Sequence, residues 1–415
     1  MTDRLYYTDP YLREFEGVIT ALDRRGDQLV AVLDRTCFYP TSGGQPFDLG
    51  TLGGFRVVDV LDQDDGSIGH VVDRSLGPTP SSSGSAPDFQ IGVRVRGAID
   101  WPRRFDHMQQ HSGQHVLSAA FDRLFKVRTV SFHLGGAAST IDLAREVSAN
   151  EITAAEDAAN EVVWQDRPVS IRYATAAEAA QLPLRKEPVR EGTLRLIDVQ
   201  DFDLSACGGT HVARTGAIGS IVVGASERFK GGSRIEFYCG GRAVNRFRAL
   251  RDTIGSATKL LSAGLDDLPA SIERLQADAK EHKRALTALQ TELARFRAGE
   301  LGAAAEAFPR GRAVVAAIDA DAQGLKALAS AVCAQPGYAA ILISMARPAL
   351  VVVCRSADVS ANAREMLTAL TGKFGGRGGG SPEMAQGGGL DAPTDAIIAE
   401  ARALIANALG RSPQA

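Results

Sequence analysis

Between Leu268 and Phe296 the chain repeats an apolar position at alternating steps of four and three: Leu268, Ile272, Leu275, Ala279, His282, Leu286, Leu289, Leu293, Phe296. No β-structure tolerates that period, so this stretch is helix. A strict 3.5-residue repeat is a coiled-coil seam or one arm of a helical hairpin; the alternative is an amphipathic helix lying on its own domain. Four heptads span about 40 Å at 1.5 Å per residue. The seam splits the 415 residues into a larger part before it and a smaller part after it, in keeping with two to four domains.

The part before the seam begins with short apolar runs at Val18-Ile19, Leu29–Leu33, Phe55–Leu61, His70–Val72 and Ile91–Ile99. Ile91, Val93 and Val95 alternate with Arg94 and Arg96, as a half-buried strand does. About five strands this close together predict a small β-barrel or sandwich over residues 1–99. GPTPSSSGSAPD (77–88) has the composition of a loop. A helix follows over roughly Phe105–Phe125, with Leu117, Ala120, Phe121 and Leu124 as its apolar stripe. Helices near 150–164 and 175–182 and strands near 168–173, 194–202, 219–225 and 233–239 complete an α+β domain over 100–255. The heptad helix occupies 256–308. The segment 309–415 alternates strands and helices around a glycine-rich loop and reads as a small α/β domain.

Two spaced pairs carry the chemistry. HSGQH places His111 and His115 four apart on one helix face, roughly opposite the apolar stripe. DLSACGGTHVAR places Cys207 and His211 either side of Gly-Gly-Thr, where the chain can turn tightly enough for thiolate and imidazole to converge. Three imidazoles and a thiolate are a zinc donor set. The zincin glutamate is missing between the histidines. Four protein donors close a tetrahedral shell, which favours a structural ion, whereas catalysis needs an exchangeable position. The spacing leaves that choice open, together with a Cys207 nucleophile served by His211.

Upstream, CFYPTSGGQPFDLGTLGG (37–54) follows a strand. Gly43-Gly44 allows a ligand close to the backbone, while Thr41, Ser42 and Gln45 offer hydroxyls and an amide. No Gly-Lys-Ser/Thr follows, so it is not a P-loop.

Taken in order, FYPTSGGQPFDLG, DWPRRFDHMQQHSGQH, SACGGTH and GGSRIEFYCGGRA resemble the editing module of alanyl-tRNA synthetase and its free-standing relatives, the AlaX proteins. KFGGRGGGSPEMAQGGG (373–389) resembles the C-terminal domain of that synthetase, shared with DHH-family phosphoesterases. The whole resembles the long form of AlaX. No synthetase catalytic domain precedes the barrel, so aminoacylation is not expected. There is no Asp-His-His triplet, so phosphoesterase activity is not expected either.

The resemblance implies a trans-editing hydrolase that removes serine, and in some members glycine, from mischarged tRNA(Ala). It carries over His111, His115, Cys207 and His211 as ligands of one zinc per chain. Gln45 and Thr41 become the catalytic-pocket candidates, with Thr41 reading the serine hydroxyl and Ser42, Gly43 and Gly44 beside the substrate. The C-terminal domain then binds tRNA, and the heptad helix spaces it from the editing site or makes a homodimer.

Phosphate contacts need local positive charge, because the net charge of −3 supplies none overall. Arg103 and Arg104 before the metal helix and Lys373 and Arg377 in the glycine-rich loop are the expected contacts, with Arg242, Arg246, Arg248 and Arg251 as further basic positions. Two other readings stand beside editing. One is a non-catalytic tRNA-binding protein with a structural zinc; the other is a metal-assisted hydrolase such as a peptidase. No apolar run reaches the ~18 residues of a membrane span. The polar start is not a secretory signal, and five scattered cysteines point to a reducing cytoplasm.

Overall fold

The computed structural model describes residues 1–26, 28–75, 89–185 and 192–410; the predicted loop at 77–88 lies outside them. The chain divides into two compact units, Met1–Ser256 and Ala257–Ala415. The architecture is α+β in both.

Besides a two-residue pairing of Asp3–Arg4 with Arg35–Thr36, the N-terminal part of the first unit has six strands: β1 (Glu14–Arg25), β2 (Gln28–Leu33), β3 (Gly50–Leu52), β4 (Phe55–Asp62), β5 (Ile68–Asp73) and β6 (Arg94–Ile99). They close into a barrel in the order β1-β2-β5-β4-β3-β6. Closure removes the open edges that a short sheet would expose. Phe15, Ile19, Leu33, Phe38, Leu52, Val60 and Ile68 fill its interior. The last strand starts at Arg94, so Ile91 sits in the preceding turn and is exposed.

Helix α1 (Trp101–Phe125) begins at an Asp100 cap, with Pro102 in its first turn, and ends on Lys126 in left-handed conformation. It starts four residues earlier than the periodicity predicts. It is also buried on more than one face. Leu117, Ala120 and Phe121 enter the core, Leu124 of the predicted stripe is exposed, and His107 to His115 are covered as well. The opposite face needs cover because it carries the histidines.

That cover comes from two sheets. One has the order β12-β13-β8-β7, built from β7 (Thr129–Leu134), β8 (Ser139–Leu143), β12 (Ile221–Phe229) and β13 (Gly232–Cys239). The other has the order β9-β10-β11, from β9 (Val169–Thr175), β10 (Thr193–Val199) and β11 (Asp203–Ala206). Strands β7, β8 and β11 are short, and the apolar runs do not reveal them. Helix α2 (Ala149–Trp164) starts with a Ser148/Glu151 capping box, and the region near 175–182 shortens to one helical turn, Ala176–Ala179. Gly113, in mid-helix, lets α1 close on β13: a Cβ there would collide with the Cys239 sulfur. Helix α3 (Gly241–Leu261) follows.

Arg104 staples the barrel to α1. It is fully buried; its Nε donates to Asp48 at 3.0 Å, and its guanidinium also reaches the carbonyls of Pro10 and Cys37. Asp48 in turn accepts from the Tyr39 N–H at 2.7 Å. This corrects the expectation that Arg104 meets phosphate, because no surface remains for it.

In the second unit the heptad is a single helix, α4 (Leu268–Ala303). Its C-terminal part packs Ala294 and Ala298 into the core around α5 (Ala322–Cys333). The seam itself is not used there: Ile272, Leu275, Leu286, Leu289, Leu293 and Phe296 are exposed, Phe296 by 73%. Beyond it a six-stranded sheet runs β14-β15-β16-β17-β19-β18, from β14 (Glu306–Phe308), β15 (Gly311–Ile318), β16 (Tyr338–Ser344), β17 (Ala349–Arg355), β18 (Arg377–Gly380) and β19 (Met384–Leu390). Helices α6 (Ala363–Phe374) and α7 (Thr394–Gly410) join it. The glycine-rich stretch is thus a β-hairpin rather than a loop. Lys373 is on α6, ion-paired with Glu400, while Arg377 opens β18, exposed.

Removing one partner of a buried ion pair strands the other without water. Asp48→Ala is therefore expected to lower unfolding free energy by about 3–5 kcal/mol in urea. A loss below about 1 kcal/mol would show that Arg104 finds other partners.

Candidate metal centre

The Ser42–Gln45 turn is closed by two backbone hydrogen bonds between those residues, and Gly43 and Gly44 take φ of 52° and 81°. Positive φ at both central positions is what a tight hairpin turn requires. The turn delivers Gln45, wholly buried, to α1. Gln45 Oε1 lies 2.9 Å from His111 Nδ1 and accepts the Thr210 N–H at 3.1 Å, while Nε2 donates to Thr210 Oγ1 at 2.8 Å. Three of the four bonding positions of the amide are thereby used, so Gln45 holds a ring and a loop and keeps one Nε2 N–H over.

His111, His115, Cys207 and His211 converge, their donor atoms all within 4.8 Å of one another. Cys207 Sγ is 3.4 Å from both His111 Nε2 and His211 Nε2. Zinc bonds of about 2.0–2.3 Å put tetrahedral ligand pairs roughly 3.3–3.7 Å apart, so those two distances fit. Each Nδ1 has its own partner: Gln45 for His111, Asp203 at 3.0 Å for His115, Ser112 at 3.2 Å for His211. An imidazole whose Nδ1–H is donated presents Nε2 to an ion. Gly209 is required beside them, since a Cβ there would collide with the His111 ring.

Burial raises the Cys207 pKa, but the His111 and His211 rings outweigh it and hold the thiol well below its ordinary value. Burial works against the His115 cation, yet the Asp203 hydrogen bond and the Cys207 sulfur push it up to about 9. Burial, then His111, press His211 down to about 3. The cluster without an ion is thus a thiolate beside an imidazolium, a charge pair with no net charge.

Arg195 pins the ligand loop, donating to the carbonyls of Cys207 at 2.7 Å and Gly209 at 2.9 Å and, through Nε, to that of Tyr7 at 3.0 Å. Thr41 has an exposed side chain, and Ser42 is partly covered with its carbonyl bound by the Tyr39 hydroxyl. The Gly44 carbonyl accepts from Leu134 N–H at 3.3 Å. Arg103 is half-buried, with Nε on the Phe47 carbonyl. Arg242 is turned inward to Asp106 and the Gly135 carbonyl. Sequence reasoning missed Ser112, Asp203 and Thr210. Ser112 and Thr210 lie inside the two quoted motifs. Asp203, Ser205 and Cys207 fall on one side of an extended strand by simple alternation, the signal that would have found Asp203.

Residues 194–236 match the family model described as the threonyl and alanyl tRNA synthetase second additional domain. Residues 310–407 match the DHHA1 domain. The alanyl-tRNA editing protein AlaX-L of Pyrococcus horikoshii is 30% identical over 398 residues, covering 93% of this chain and 94% of its own. The chain belongs to the AlaX-L family of alanyl-tRNA editing proteins. Alanine–tRNA ligase of Pyrococcus abyssi is 32% identical over 404 residues, 93% of this chain but 42% of the ligase. This chain therefore spans about two fifths of the length of such ligases. The first model spans Asp203, Cys207 and His211.

Cys207 is the partly exposed cysteine; Cys37, Cys239, Cys333 and Cys354 are buried. Zinc added to chelator-treated protein is expected to slow alkylation of Cys207 at least about tenfold, read by peptide mass. Equal rates with and without zinc would exclude the sulfur from ion binding.

Proposed function

We propose that this protein is a zinc-dependent aminoacyl-tRNA deacylase that removes serine, and glycine, from mischarged tRNA(Ala). The observation that carries the reading is the convergence of three imidazoles and the Cys207 sulfur within a chain related to AlaX-L over almost its whole length. When bound, zinc would polarise the ester carbonyl or a water. His111, His115, Cys207 and His211 hold it, and Gln45, Ser112 and Asp203 fix the rings. Glycine-turn N–H groups at 43–44 and 208 offer oxyanion donors, while that of Gly209 is donated to the Cys207 sulfur. Thr41 and Ser42 at the mouth of the turn read the amino-acid side chain. Rejecting alanine several hundredfold needs about 3–4 kcal/mol, which a site built around a substrate hydroxyl supplies.

Transfer RNA is the partner, with Arg103 near the turn and Lys373 and Arg377 at the hairpin of the second unit as phosphate contacts; Lys373 first has to leave Glu400. The five unpaired thiols suit a reducing cytoplasm. The exposed heptad seam is proposed to pair two chains. A second reading, a tRNA-binding protein with a structural ion, is favoured by one observation: four donors complete a tetrahedral shell.

Purified protein is expected to hold one zinc and to deacylate seryl-tRNA(Ala) and glycyl-tRNA(Ala) while sparing alanyl-tRNA(Ala). His115→Ala should lose the activity. Zinc-loaded protein that binds the tRNA and hydrolyses none of the three esters would establish the structural-ion reading. In sedimentation the protein is expected to be a dimer, and Leu289→Lys with Phe296→Lys a monomer; an unchanged state in that variant would remove the seam from assembly.

A further inference from the structure

The three rings of the metal centre are not held alike. His111 leans on an amide and His211 on a hydroxyl, both neutral. His115 leans on a carboxylate, Asp203, whose side chain is 1% exposed. That carboxylate is saturated. Arg185 Nε donates to Oδ1 at 2.6 Å and Nη2 to Oδ2 at 3.3 Å; Ser205 Oγ lies 3.1 Å and 3.0 Å from the two oxygens. Arg185 is itself fixed, since its backbone N–H donates to the Leu204 carbonyl at 3.0 Å beside β11. The same short strand then delivers Cys207 three residues after Leu204. One strand thus carries the anchor of one candidate ligand and leads directly into another, with the Arg185 guanidinium locking the anchor.

We infer that Asp203 is the positioning residue of this centre, and that Arg185 clamps it so that His115 keeps its Nδ1 proton and offers Nε2 to the ion. The inference rests on the zinc reading above. A carboxylate partner orients an imidazole and makes its other nitrogen a stronger donor, whereas an amide or hydroxyl only orients it. The ring held by Asp203 is therefore the anchor of the ion among the three. An anionic partner also offsets the charge of a centre in which one thiolate faces a divalent cation. Buried Asp203 without its partners would be costly, and this is what Arg185 and Ser205 prevent.

The test is zinc affinity measured by competition with a chromophoric chelator, using the full chain. Asp203→Ala is expected to weaken zinc binding about 10–100-fold. Asp203→Asn keeps the shape but not the charge and should fall between it and the parent. Arg185→Gln should weaken binding less than Asp203→Ala. Asp198→Asn, which removes a carboxylate paired with Arg172 on the neighbouring strand, should leave affinity within about twofold. Neutralising Asp203 also removes its ion pair with Arg185, so zinc affinity is compared at temperatures well below the melting point of each metal-free protein, which separates positioning from folding. If Asp203→Ala does not fold, Asp203→Asn decides. Parent-like affinity in Asp203→Asn overturns the inference and leaves the zinc reading standing. A parent protein that binds no zinc overturns the zinc reading itself.

Discussion

A thiolate and three imidazoles, nearly dry and within 4.8 Å of one another, impose the main constraint on this fold. Such groups lose the water that would satisfy them, so every nitrogen and sulfur needs a partner from the chain or an ion. The first unit is arranged to provide those partners. The barrel contributes a two-glycine turn whose function in the fold is to place one amide between His111 and Thr210. The α1 helix is buried on opposite sides because one side must reach the core and the other the cluster. Arg104, Asp48 and Arg195 are buried charges spent on holding barrel, helix and ligand loop in register.

The two halves of the His/Cys cluster were legible in the sequence because the spacing within each pair is local. Histidines four apart on a helix share a face whatever the surroundings, and Gly-Gly between cysteine and histidine permits a tight loop. The barrel was legible as five closely spaced apolar runs, the last of them with strand period, and the heptad as one helix. What could not be read is whatever depends on contacts far apart in the chain. Arg104 looks like a surface arginine beside Arg103 until Asp48, 56 positions earlier, is seen against it. Gln45 reads as a pocket amide until its three bonds are known. Strands β8 and β11 are too short for periodicity to register, although β11 carries the carboxylate behind His115, whereas the alternation of Val130, Phe132 and Leu134 in β7 was there to be read. The glycine-rich segment has loop composition but pairs as a hairpin, because β17 offers it a buried edge.

The second unit follows a different logic. Its sheet and helices enclose an ordinary core, while α4 keeps its small residues for that core and leaves its large apolar seam outside. Along α4, then, the alanines face the core and the large seam residues face outward. The seam and the hairpin are thus the assembly and nucleic-acid faces in the proposed scheme, and the chemistry is confined to the first unit.

The central claim is a four-coordinate ion bound by three imidazole nitrogens and the Cys207 sulfur. X-ray absorption at the zinc edge, on protein loaded with one equivalent, tests it directly. The account predicts one sulfur at about 2.3 Å and three nitrogens at about 2.0–2.1 Å, with ring scattering from three imidazoles. A shell of oxygens, or one lacking sulfur, would contradict it.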